Sequence, residues 1–226
     1  MFGCLLTQEN NQGLTIILTH IEPMTRRFPI PISPLAKERT IGALLSTNTC
    51  DQQAGKRAAI AMSRLYAYLG AAREQVRVIE VLGRKAYPKK PSYSSTMIQA
   101  FIHIHLYFIC WAAIGRMIEV IKGCSGLKAP NNVWKKYRVE LKQYADARDH
   151  FEHYEERLPG GKKEISSYGN LQHGWFSLGD HRWEVSKESL KKLENIVAKL
   201  DANILSDAAE RVKGQMSSKF PSTNPE

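Results

Sequence analysis

Apolar residues recur at helical spacing over much of the second half of the chain. Leu190, Leu193, Val197, Leu200 and Ile204 alternate steps of three and four, which predicts an amphipathic helix. Ser186 stands ahead of it as a cap, with Val185 able to staple onto Leu190. A second stripe, Val133, Tyr137, Leu141, Tyr144, Phe151, Tyr154 and Leu158, predicts a long helix capped by Asn131 or Asn132 and stopped by Pro159-Gly160-Gly161. Its one step of seven is filled by Arg148. Between the two helices, FSL and WEV flank Gly179-Asp180-His181-Arg182 and predict a small hairpin with a Gly-Asp turn.

Upstream, MIQAFIHIHLYFICWAAIG (97–115) is apolar except for Gln99, His103 and His105. It is nearly long enough to cross a bilayer. Those three polar groups are costly in lipid, however, and the apolar pattern runs on through Met117, Ile118, Val120 and Ile121 with helical spacing. A central helix packed on most sides accounts for both facts. Thr96-x-x-Gln99 is a capping box for it, and Gly123 and Gly126 end it. Residues 35–83 are helical in pattern, with Ile60, Arg64 and Ala67 on one face and Tyr66 and Tyr68 nearby; Gly55 and Gly70 leave two or three helices open.

KAYPKKPSYSS is a linker by composition, and FPIPISP, after the β-branched LTIILTHI, suits neither a helix nor a central strand. The last residues, QMSSKFPSTNPE, have no periodicity and read as disordered. The expected fold is mainly α: a helical bundle with two long central helices and a small β-hairpin before the C-terminal helix. An extended arm occupies 1–34, the helical domain 35–211 with its hairpin near 171–185, and a tail 212–226.

At 226 residues and 43% hydrophobic content the chain can bury a full core, and it fits one domain, or one domain with an appendage, better than two separate ones. Lys and Arg number 32 against 22 acids, a formal charge of +10 that favours polyanionic partners. The four cysteines, Cys4, Cys50, Cys110 and Cys124, form no C-x-x-C pair, which argues against a zinc knuckle and for a reducing compartment. MFGCLLTQENNQG lacks the basic start and apolar run of a secretory signal, so a cytoplasmic protein outside the membrane is expected.

Candidate chemistry concentrates in ARDHFEHYEERLPG (147–160). On an ideal helix with Arg148 at zero, Glu152 falls at roughly 40°, Asp149 at about 100°, His153 at about 140° and His150 near 200°. Arg148, Glu152, Asp149 and His153 thus share a flank beside the apolar stripe. A neutral imidazole can take the proton of a ribose 2′-OH, and a guanidinium can stabilise the phosphorane that forms. The pair suits RNA cleavage without metal, with Asp149 orienting either cation.

The string Arg148-Asp149-His150-Phe151-Glu152-His153 resembles the Arg-x4-His signature that HEPN-superfamily proteins carry on a long helix of an all-helical bundle. The similarity covers residues 95–204 in layout and 148–158 in sequence. It implies a metal-independent endoribonuclease of a toxin–antitoxin or phage-defence system, with Arg148 and His153 as the catalytic pair and Asp149 as the polar residue after the arginine. It also implies a homodimer whose motif helices share one cleft, and a cognate antitoxin as partner. Lys162 and Lys163, just beyond the helix, are the candidate RNA contacts.

The plainer reading makes the same residues a solvated helix face with an Arg148–Glu152 pair, in a non-catalytic module that binds a protein or nucleic acid. His150 and His153 lack the further ligands a metal needs, so no metal or cofactor is expected. One of His103 and His105 is expected to be a satisfied core residue, His173 and His181 to be exposed, and Trp111, Trp134, Trp175 and Trp183 to be packing anchors. No Gly-rich phosphate loop or nucleophile elbow is present.

Overall fold

A computed structural model describes residues 33–47, 52–86, 95–124, 126–153 and 170–219. The N-terminal arm up to residue 32, most of the linker before residue 95, the Pro159-Gly160-Gly161 stop, and Lys162 and Lys163 lie outside the described residues. Within them the protein is mainly α, with five helices and one small antiparallel sheet. The helices are α1 (Pro34–Thr47), α2 (Gln52–Ala86), α3 (Ser95–Cys124), α4 (Ala129–Glu152) and α5 (Lys187–Lys219); the strands β1 (Asn170–Gln172), β2 (Trp175–Leu178) and β3 (His181–Glu184) precede α5.

Four of these helices are long, where two were expected. Gly55 and Gly70 both lie inside α2 and break nothing. Ile60, Arg64 and Ala67 do share a face, but it is the solvent face; Met62, Leu65, Leu69, Val76 and Ile79 form the buried one. α1 starts on Pro34, whose fixed φ suits a first helical position, so the expected arm ends one residue sooner. Helix α3 begins at Ser95, which puts Thr96 inside the first turn, and it ends at Cys124, before Gly126 turns left-handed with φ 62°.

The predicted caps of α4 are corrected. Asn131 and Asn132 lie within the first turn, because the helix starts at Ala129 with Pro130 close behind. The N–H of buried Ala129 donates instead to Asp207 Oδ2 of α5, at 2.7 Å. Helix α5 runs to Lys219, past Gln215, where an unstructured tail was expected to begin.

The hairpin supplies two strands, β2 and β3, of a three-stranded sheet ordered β1-β2-β3. Leu171, Phe176 and Trp183 pair across it and are all buried, so one face is turned to the core. Its two turns follow from φ. His173 (49°) and Gly174 (78°) make the double positive turn that joins β1 to β2, and Gly179 (58°) opens the predicted Gly-Asp turn. A Cβ on Gly174 would stand 2.9 Å from Ser186 Cβ, so the turn and the start of α5 are fitted to each other.

The core joins these layers through aromatic rings. Trp111 of α3 stacks on Tyr144 of α4 at 4.0 Å, and Phe108 touches the rings of Tyr144, Phe151, Phe176 and Trp183. Trp175, expected as an anchor, is partly exposed beneath the Arg182 guanidinium. Tyr66 donates to Asp201 at 2.6 Å, and Tyr107 shares a hydrogen bond with Ser189 at 2.9 Å, tying α2 and α3 to α5. Residues 96–124 of α3 are long and apolar enough to cross a membrane, yet half of their most apolar window is buried in the fold, which is compatible with a soluble protein.

Candidate functional site

The site is the last turn of α4 and what packs on it. Tyr144 and Ala147 are buried and Phe151 half-buried, so Ala147, and not Arg148, completes the apolar stripe at its long step. Arg148 is the next residue round the helix, at the edge of that stripe, with 19% of its side chain exposed. Its Nε donates to Asp149 Oδ1 at 3.0 Å, its Nη2 bonds the same oxygen, and its Nε lies 3.5 Å from Glu152 Oε2. The Asp149 bond holds the guanidinium still further above its ordinary pKa, so it stays charged at any working pH.

The helix ends at Glu152, and His153 is its C-cap with φ −103° and ψ 23°; the remainder of the predicted run, to Leu158, lies outside the described residues. His153 is exposed, and its N–H bonds the carbonyl of Asp149 at 3.1 Å. Its direction is therefore set by the helix exit and not by the helical repeat. Of the predicted residues, Arg148 and Asp149 are brought together, and His153 sits at the end of the same turn. Lys162 and Lys163 cannot be added to this geometry, being outside the described residues.

Two further histidines meet this turn. His105 of α3 stacks on Phe151, with centroids 5.2 Å apart and planes 10° from parallel. Its Nε2 is buried with no hydrogen-bond partner among the described residues. Burial lowers its pKa, and the charges of Glu152 and Arg148 reach it with opposite effects. His150 leans the other way, onto the sheet, with its ring 4.2 Å from His181 and 5.6 Å from Trp183. Its Nδ1 is likewise buried and unpartnered among the described residues.

His105 and His181 went unnoticed as neighbours of this turn because they reach it from α3 and β3. Only the packing of those elements on α4 brings them there. His103, by contrast, is the satisfied histidine of its pair, at 2.7 Å from Gln75 Oε1. Among the described residues no three His, Cys, Asp or Glu side chains are placed to hold a metal ion. Cys110 is free and buried, and burial pushes its thiol up to about 11, out of nucleophilic range.

Chemically, this turn offers a fixed guanidinium, two carboxylates around it, an exposed imidazole at the helix exit and a neutral one behind. No family model matches the chain, and no curated protein or solved structure matches it either.

Proposed function

We propose that this turn of α4 cleaves RNA without a metal, by attack of a ribose 2′-OH on the adjacent phosphate. His153 takes the 2′-OH proton and returns one to the departing 5′-oxygen, while Arg148 binds the non-bridging oxygens as charge builds on them. Asp149 is a positioning residue for Arg148. The observation that carries the reading is the Asp149 bond that fixes Arg148 one turn ahead of the exposed His153.

The carboxylates are the main obstacle, since Arg148, Asp149 and Glu152 together sum to a negative charge that opposes phosphate. Magnitudes decide in favour of exchange. Asp149 and Glu152 are each about half exposed, and such ion pairs contribute about 1 kcal/mol or less. A phosphate offers the guanidinium paired, charge-assisted bonds of greater strength, so Glu152, held at 3.5 Å, gives way first.

The +10 charge of the chain and its resemblance to the HEPN superfamily support the same reading. With that resemblance come a place in toxin–antitoxin or phage-defence systems, a homodimer and a cognate antitoxin; the cysteine pattern adds a cytoplasmic setting, and Lys162 and Lys163 are proposed as further RNA contacts from their position just beyond the helix.

A second reading, a non-catalytic helical binding module, is favoured by the engagement of Arg148 with two carboxylates, as a structural clamp would have it. One assay separates the two. Protein treated with chelator and incubated with diverse single-stranded RNAs is expected to leave 2′,3′-cyclic phosphate ends. The His153→Ala variant should lose that activity and keep its melting temperature. Intact RNA after incubation with folded protein would remove the nuclease and leave the module.

A further inference from the structure

A second concave surface lies on the middle half of α4. Helices α3 and α4 run antiparallel, with Gly115 against Leu141 and Trp111 against Tyr144. Because Ala112, Gly115 and Ala145 are small, the two helices leave a cavity of about 550 Å³ between them. Leu141 and Trp134 complete an apolar floor, and Lys122 lies over the Trp134 ring at 5.3 Å. On α4 the groove extends from Trp134 to Ala145, about 16 Å, or three helical turns.

Its rim is basic. Arg116, Arg138 and Lys142 line it against the single acid Glu119, and none of the three cations forms an ion pair among the described residues. All three are exposed, and beside them Val139 is 74% exposed.

We infer that this groove docks an amphipathic helix of an acidic partner protein, apolar face down and carboxylates against Arg116, Arg138 and Lys142. The floor and the rim each exclude an alternative. A nucleic-acid backbone gains nothing from the side chains of Leu141 and Val139, which offer no hydrogen bonds to phosphate, and finds in the Trp134 indole N–H a single neutral donor. A second copy of the chain would set one basic rim against another, and like charges at an interface oppose association. An acidic helix of three turns supplies both an i, i+4, i+7 apolar row for the floor and the opposite charge for the rim. The inference is independent of whether Arg148 and His153 cut RNA.

The test uses a fluorescein-labelled helical peptide with leucines on one face and glutamates on the other, titrated with the full chain by fluorescence anisotropy. Two control peptides carry lysine in place of glutamate, or the same residues scrambled. Only the amphipathic glutamate peptide is expected to bind. Its affinity should fall about tenfold or more in the Arg138→Glu/Lys142→Glu variant, and by a similar factor in Val139→Glu. All three positions are exposed, so both variants should keep the wild-type circular dichroism and melting temperature.

Absence of binding, equal binding of a control peptide, or undiminished affinity in the double variant overturns the proposal. So does binding to phosphatidylglycerol vesicles that the double variant loses while the peptide stays inert, which would give the groove to a membrane. Self-association in sedimentation that Val139→Glu disperses would give it to a second copy and overturn it equally.

Discussion

His105 is held half-buried against Phe151 with Nε2 unpartnered among the described residues, and this makes it a pH-sensitive point at the end of α4. Its folded pKa lies below the ordinary imidazole value, so the unfolded chain takes up the proton first as pH falls. Stability from this group is complete above about pH 6.5 and is lost as pH drops below it. His105→Phe, which can keep the stack on Phe151, is therefore expected to weaken the loss of melting temperature between pH 7 and pH 5. An unchanged profile would mean that the imidazole is not what responds. The same residue shows why the sequence yielded only part of the site. Arg148 and Asp149 are neighbours in the chain on one flank of the helix, and a long arginine can lean across the roughly 100° between them. His105 and His181 arrive from other elements, and no local pattern states the register in which α3 and β3 pack on α4.

Helix α4 owes its start to α5. Asp207 accepts the Ala129 N–H at 2.7 Å, and Arg211 donates to the carbonyl of Gly126, so one turn of α5 clasps the α3–α4 connection at Gly126 and Ala129. Replacing a capping carboxylate costs about 0.5–2 kcal/mol, and Asp207→Ala should lower stability by that order in chemical denaturation while amide exchange speeds up chiefly at the first turn of α4. Uniform exchange along the chain would argue against a local cap. Elements with a strong internal signal were well read. The α5 stripe is buried from Leu190 to Ile204, and Ser186 Oγ accepts the Glu188 N–H at 3.1 Å, as its position before the helix implied. Boundaries fixed from outside were not. The cap of α4 is 78 residues away, and the third strand β1 has only three residues, too few for an alternation to register.

At the scale of the molecule, the pH response is a sum of opposed parts. Asp201 of α5 is buried beneath Tyr66, and desolvation lifts its carboxyl to about 6. A folded pKa above the unfolded one means stability that is complete below about pH 4 and lost as pH rises through 6, the reverse of His105. Asp201→Asn keeps an oxygen to accept from Tyr66 and cannot ionise. It is expected to raise the melting temperature at pH 7 and to leave it unchanged at pH 3.5, and an equal shift at both would tie the effect to packing alone. The clasp on the α3–α4 connection has its own bearing on how the chain comes together during synthesis. When the ribosome has finished α4, the carboxylate that closes the helix has not yet been translated, and a nascent chain halted short of Asp207 holds every residue of α4 with its first turn still open to water.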